Sequence, residues 1–392
     1  MNPDGEFDLV VYGASGFTGR LVADYLAGAY GGDLKWAMAG RDAAKLAAVR
    51  SEIGAPSDTP IVVADAADDA SVAELARRSR CIITTVGPYQ LYGEKLVAAC
   101  AREGTDYLDL CGETVWMRRM IDAYDSEAKA SGARILFSCG FDSIPFDLGV
   151  LFLQEEAQRR FGAPLPRVKG RVLRMKGEFS GGTFASFKAT MAAAEADPSL
   201  LATMRDPFAL APGFQGPKQP SGSKVELDPD LDAWVAPFVM APINTRNVHR
   251  TNFLLGAPYG QDFVYDEMIV AGAGAKGEGI AKAIAASAAN LGQSREPKPG
   301  EGPSREQREA GLYELLFLGL GPEGRKLSAI VTGDRDPGYG STSKMIGEAA
   351  VCLLREGAVL PGGIWTPGAA LGAKLIQRLQ AHAGLTFSIR ET

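Results

Sequence analysis

The feature that most constrains this chain is a glycine row set between an apolar run and a helical pattern, all within residues 7–41. Leu9, Val10, Val11 and Tyr12 suit a buried parallel strand, and Gly13, Ala14, Ser15, Gly16, Phe17, Thr18 and Gly19 form a G-x-x-G-x-x-G turn leading into a helix. Gly13 lets the strand turn sharply, Gly16 lets backbone approach a pyrophosphate, and Gly19 lets the helix pack close on the sheet. With 47 glycines in 392 residues, a glycine row alone is weak evidence, and the flanking strand and helix give it weight. The stretch reads as a dinucleotide site.

A second strand over 34–39 ends in Gly40, Arg41 and Asp42, where an NAD site usually places an acid against the ribose 2′-hydroxyl. Arginine favours NADP, because a guanidinium pairs with a 2′-phosphate that a carboxylate would repel. The competing reading makes Arg41 a solvated loop residue and Asp42 an N-cap. A third strand over 61–64 ends at Asp65, which either contacts the adenine side of the cofactor or caps the next helix. A fourth, over 81–86, ends at the edge where open α/β sheets bind ligands, so Thr84, Thr85 and Gly87 border the cofactor or form an ordinary proline-marked turn.

Two more short strands, 106–110 and 134–138, flank a helix over 115–129. Six strands alternating with helices predict an α/β fold with a doubly wound parallel sheet in about the first 140 residues. A helix is expected over 148–161, and from Leu165 the pattern becomes α+β. Strands are expected at 168–178, 234–243, 252–255 and 263–270, helices at 186–196 and 280–291, and a hairpin at 313–318 and 326–331. Segments 207–229 and 293–308 look irregular, either lids or surface loops. Asp336, Pro337, Gly338, Tyr339 and Gly340 precede a helix carrying Met345, Ile346, Ala349, Ala350 and Leu353, whose N-terminus could face an anion. A last helix runs through Leu375, Ile376 and Leu379, before a final strand at 386–389.

Composition narrows the partners. A net charge of −6 gives no electrostatic reason to expect nucleic acid. No apolar run approaches the roughly 18 residues of a membrane span and no leader pattern opens the chain, which together predict a cytoplasmic protein. Membrane-surface association and a homodimer stay open. The five cysteines are scattered without a C-x-x-C pair, a reduced-compartment pattern, and two histidines argue against a histidine-rich metal site or a Ser-His-Asp triad. No metal is expected.

Taken together, GASGFTG, AGR at 39–41, TTVGPY at 84–89, YLDLCGE at 107–113, GFDSIP at 140–145 and DPGYGSTSKMIGEAA at 336–350 resemble the saccharopine dehydrogenase-like oxidoreductases over nearly the whole chain. Within that group the chain is most similar to the actinobacterial trans-acting enoyl reductases, which serve polyketide synthases that build long-chain lipids. The resemblance implies a Rossmann domain at 1–145, an α+β substrate domain at 146–335, and C-terminal helices at 336–392 that return to the Rossmann half. It places the phosphate loop on Gly13, Ser15, Gly16, Phe17 and Thr18, the second-strand position on Arg41, and the nicotinamide-side turn on Val86, Gly87 and Pro88. The expected cofactor is NADP(H). The expected reaction is reduction of an α,β-unsaturated acyl thioester carried by a polyketide synthase, with Tyr89, Lys188 and Tyr339 as candidate donors. A saccharopine-like enzyme acting on an amino acid or imine, and a non-catalytic dinucleotide-binding scaffold, are the alternatives.

Overall fold

A computed structural model describes Asn2 and residues 5–177, 181–289 and 302–390. The chain builds β1 (Phe7–Tyr12), β2 (Trp36–Gly40), β3 (Ile61–Val63), β4 (Ser79–Thr84), β5 (Asp106–Leu108) and β6 (Arg134–Leu136). It continues with β7 (Arg167–Lys176), β8 (Glu226–Asp228), β9 (Ala233–Pro237), β10 (Val264–Gly272), β11 (Leu312–Leu320) and β12 (Lys326–Gly333), and ends with β13 (Gly363–Trp365) and β14 (Leu385–Arg390).

The first sheet has the order β13-β6-β5-β4-β1-β2-β3 with every pairing parallel. Helices cover both faces, so the central strands are buried on both sides. Leu9, Val10, Val11, Ile82 and Ile83 are wholly inaccessible, which explains why β1 and β4 are continuous apolar runs rather than alternating ones. The order reverses between β1 and β4, placing a crevice at their carboxyl ends. The six predicted strands are present. β13, which the sequence pattern does not announce, extends the sheet beside β6.

The second sheet, β14-β12-β11-β7-β10-β9-β8, is mixed: β7 and β10 run parallel and the other pairs antiparallel. The helix Ile144–Phe161 joins the two sheets, and Gly149 permits the contact, since a Cβ there would lie 2.3 Å from the Phe317 ring of β11. C-terminal helices return to the first sheet. Glu348, on the helix Thr342–Glu356, accepts hydrogen bonds from Tyr25 and Tyr30 of the first helix at 2.5 Å each, and from Arg378 at 3.0 Å.

Two expected strands are corrected. Residues 234–243 form β9 only as far as Pro237, and 252–255 close a helix, Ala241–Leu254. That helix buries Asn244, Arg246, Asn247, His249 and Arg250 along with its apolar residues, so it lacks the polar stripe by which a helix declares itself in sequence. Its arginines hold backbone rather than carboxylates: Arg246 donates to the carbonyls of Met204, Asp206 and Pro242, and Arg250 to those of Leu210 and Ile364. These contacts clamp part of the irregular 207–229 segment onto the body. Of the other irregular segment, 293–301 lies outside the described residues, and the remainder contains a helix, Arg305–Glu309, with a capping box at Ser304 and Gln307.

Candidate functional site

The glycine row turns from β1 into the helix Phe17–Tyr30. Gly13 has a φ of +91°, and a Cβ there would lie 2.8 Å from Thr85 Oγ1 and 2.9 Å from Val86 Cγ2, so the turn after β4 packs directly on the loop. Gly19 is tighter still: a Cβ would sit 2.1 Å from the Gly13 carbonyl oxygen. Gly16 is the N-cap and supplies no side-chain acceptor, and no acidic residue occupies the first turn, which leaves the first-turn amides for an anion. These features fit a dinucleotide diphosphate.

At the end of β2, Arg41 is exposed and makes no hydrogen bond or ion pair among the described residues. Asp42 caps the following helix, accepting from Lys45 N at 3.0 Å. Ser15 Oγ lies close by, 3.7 Å from where a Gly40 Cβ would be. Arg41 and Asp65 both act on the buried Tyr12 hydroxyl, which is pushed up to about 12 mainly by burial, raised further by Asp65 and opposed by Arg41. Asp65 is exposed and closes a turn by accepting from Ala67 N at 3.0 Å. The corner thus offers a guanidinium and a hydroxyl to a 2′-phosphate.

The opposite end of the crevice is built on buried carboxylates. Glu113 accepts from Tyr89 N and Gln90 N, each at 2.8 Å, tying down the turn at Thr85, Val86, Gly87 and Pro88. Asp109 accepts from Cys111 N and Ser138 N, each at 2.9 Å, and from the Tyr107 hydroxyl at 2.9 Å, joining the loops after β5 and β6. Burial pushes the Asp109 carboxyl up to about 7 against these hydrogen bonds. The helix Gly181–Ala196 docks across the top. Ser186 donates to Glu113 Oε1 at 2.6 Å, Gln90 Nε2 donates to Thr190 Oγ1 at 3.2 Å, and Gly181 N donates to the Tyr339 hydroxyl at 3.0 Å. Tyr339 in turn stacks edge-on against Phe17 at 4.8 Å, so the helix runs from the phosphate loop to the turn after β4.

The three expected donors lie in different surroundings. The Tyr89 hydroxyl is buried, donates to the Thr84 carbonyl at 3.3 Å and accepts from Leu110 N at 3.1 Å, and burial raises it far above the phenol range. Tyr339 is buried and holds a helix end. Both hydroxyls are thus engaged with backbone groups. Lys188 is exposed, two residues from Ser186 and Thr190 and hence on the other face of their helix. The turn before Thr342–Glu356 is not open to an anion either, because Asp336 already accepts there from Tyr339 N at 3.0 Å and Gly340 N at 2.8 Å.

Sequence reasoning passed over a buried polar cluster beside the loop after β6. Glu267 of β10 is wholly inaccessible and accepts from Asn244 Nδ2 and the Tyr265 hydroxyl, each at 2.9 Å. Asn247 donates to Ser143 Oγ at 2.8 Å, and Asp142 next to it acts electrostatically on Glu267. Asp142 was visible only as a letter within GFDSIP. No cluster of His, Cys, Asp and Glu among the described residues could hold a metal, no described helix is long and apolar enough to cross a membrane, and all five cysteines are buried and free.

A parallel sheet reversing at β1 and β4, with an uncapped glycine turn and a basic corner at the crevice, is the frame on which NAD(P)-dependent oxidoreductases bind their cofactor. Residues 9–136 match the saccharopine dehydrogenase NADP binding domain. A trans-acting enoyl reductase of Mycobacterium ulcerans is 38% identical over 95% of this chain and 96% of its own, and one of Mycobacterium bovis is 36% identical over 97% of each. The chain belongs to the saccharopine dehydrogenase-like oxidoreductases, in the family of these trans-acting enoyl reductases. Its fold is shared more distantly. The L-Glu-forming saccharopine dehydrogenase of Saccharomyces cerevisiae superposes with a TM-score of 0.58 at 10% identity, covering 98% of this chain and 100% of that one. The homospermidine synthase of Legionella pneumophila superposes with a TM-score of 0.57 at 10% identity, covering 99% and 92%. The cofactor is NADP(H).

Proposed function

We propose that the protein reduces the carbon–carbon double bond of an α,β-unsaturated acyl thioester, delivered by a polyketide synthase in the assembly of a complex lipid. The observation that carries this reading is the nearly full-length similarity to relatives named for that activity, which extends past the cofactor domain into the second sheet.

When bound, NADPH supplies the hydride for the β-carbon of the substrate. The first-turn amides after Gly16 would hold its diphosphate. Arg41 and Ser15 take the 2′-phosphate and select NADPH over NADH. Thr85, Val86, Gly87 and Pro88 border the nicotinamide, and Glu113 keeps that turn in one position by capping both Tyr89 and Gln90. The helix Gly181–Ala196 shields the reacting carbons from water. The test is NADPH oxidation by the purified protein with a trans-2-enoyl thioester of N-acetylcysteamine. A saturated thioester should form in step with NADP⁺. Turnover of an amino-dicarboxylate in place of the enoyl thioester would displace this reading with the saccharopine-like alternative, and cofactor binding with no turnover of either would favour the scaffold.

A further inference from the structure

The polar cluster beside the loop after β6 holds a candidate proton source. Asp142 follows β6 at the carboxyl edge of the parallel sheet, the edge that faces the crevice. The residue is partly exposed, yet its Oδ1 is buried and has no hydrogen-bond partner. Its neighbours repeat the pattern. Asn244 spends its amide N–H on Glu267 and Asn247 spends its own on Ser143, and the carbonyl oxygen of each asparagine is buried without a partner.

Three orphan acceptors beside two acids would be costly if both acids were ionised, because each unpaired polar atom carries its full desolvation penalty. Two carboxyl groups that interact in a low-dielectric site do not both ionise readily. A proton retained on an acid removes the charge whose burial is costly. Consistent with this, burial pushes the Asp142 carboxyl up to about 7, and burial together with Asp142 raises Glu267 well above the carboxylate range. Ser143 is the N-cap of the helix Ile144–Phe161, so the carboxylate left after proton loss lies beside a helix N-terminus that stabilises it.

We propose that Asp142 is the catalytic acid, giving its proton to the substrate α-carbon, with Glu267, Asn244 and Asn247 as positioning residues that keep the acid protonated and oriented. The proposal rests on the enoyl-thioester reading above. In the step, the β-carbon receives a hydride from bound NADPH and the π pair of the double bond moves toward the thioester carbonyl. The α-carbon then takes the proton of the Asp142 hydroxyl, whose bonding pair stays on the carboxylate. A solvent proton restores the acid, so each turnover consumes one NADPH and one proton and releases NADP⁺ and the saturated thioester.

The experiment compares wild type with Asp142→Asn, which keeps the side-chain shape, and with Asp142→Gly. In the cofactor-free protein near neutral pH, the infrared difference spectrum of wild type minus Asp142→Asn should show a protonated carboxylic acid band; its absence overturns the proposal. Asp142→Asn should bind NADPH as wild type does, confirming its fold, while turnover of the N-acetylcysteamine enoyl thioester falls by roughly 10²- to 10⁴-fold. Formate added to Asp142→Gly should restore part of that loss, which a purely structural role would not allow. Turnover in Asp142→Asn within about tenfold of wild type overturns the assignment and leaves the reductase reading standing. No turnover by wild type itself removes the reductase reading, and the assignment with it.

Discussion

At the scale of single residues, the glycines of the phosphate loop separate space from chemistry. A methyl at Gly19 would meet the Gly13 carbonyl at 2.1 Å and Thr85 Oγ1 at 2.8 Å, whereas one at Gly16 would meet only the Gly13 carbonyl, at 3.3 Å. Gly19→Ala must therefore move helix and strand apart. It is expected to lower Tm by several degrees and to abolish NADPH binding, measured by thermal unfolding and by fluorescence titration. Gly16→Ala should unfold within a degree or two of wild type and still weaken NADPH binding, because the added methyl stands where the diphosphate approaches the backbone. Arg41 makes a complementary case. With no partner among the described residues, it is free to commit its charge to a 2′-phosphate. Arg41→Ala should raise the Kd for NADPH by roughly ten- to a hundredfold, the worth of a charge-assisted hydrogen bond, while leaving the Kd for NADH nearly unchanged. Equal losses for both nucleotides would assign Arg41 another role.

At the scale of elements, the turn after β4 is held by one carboxylate serving three partners. Glu113 is 3% exposed, caps the short helix Tyr89–Tyr92 through two backbone amides and anchors Ser186 of the overlying helix. Glu113→Ala would strand both amides in a dry site, at a cost of about 2–4 kcal/mol. The expected result is a lower Tm together with a loss of kcat that exceeds the loss of NADPH affinity, read by unfolding and steady-state kinetics. The same element shows what the sequence can and cannot convey. Six strands of the parallel sheet were legible because each is a local run closed by a turn, and the glycine turn because its glycines recur at every third residue of one short segment. β13 was not: three residues, Gly363–Trp365, carry too little pattern, and their partner β6 lies more than two hundred residues away. The buried helix Ala241–Leu254 hid for the opposite reason, since burial on every side removes the periodicity that marks a helix. The reacting end of the site shares that obscurity. Asp142, Asn244, Asn247 and Glu267 come from a loop, a helix and a strand of different segments, and only the fold brings them together.

At the scale of the whole molecule, the chain crosses repeatedly between its two sheets, and Asp147 stands at one of the crossings. It lies on the helix that joins them, wholly inaccessible, and accepts from Gly368 N of the C-terminal helix Pro367–Arg378 at 2.8 Å. Burial raises its carboxyl to about 7, with hydrogen bonds from Thr251 and Gly368 opposing the shift. The folded state thus binds the Asp147 proton more tightly than the unfolded chain, whose carboxyl titrates near 3.8. The associated stability is complete below that value and is lost as pH rises from about 4 through about 7. Asp147→Asn keeps an acceptor for Gly368 and carries no proton to lose. The difference in stability between Asp147→Asn and wild type should therefore climb in favour of the variant across that window, by on the order of a few kcal/mol, and then level off above it. Taking the difference cancels the titration of Asp109, Asp142 and the surface acids, which both proteins share. Chemical denaturation of the two proteins at acidic, neutral and mildly alkaline pH measures it. A difference that stays flat with pH would mean that Asp147 is ionised in the folded protein, and that the junction between the sheets is held by a charge rather than by a buried neutral acid.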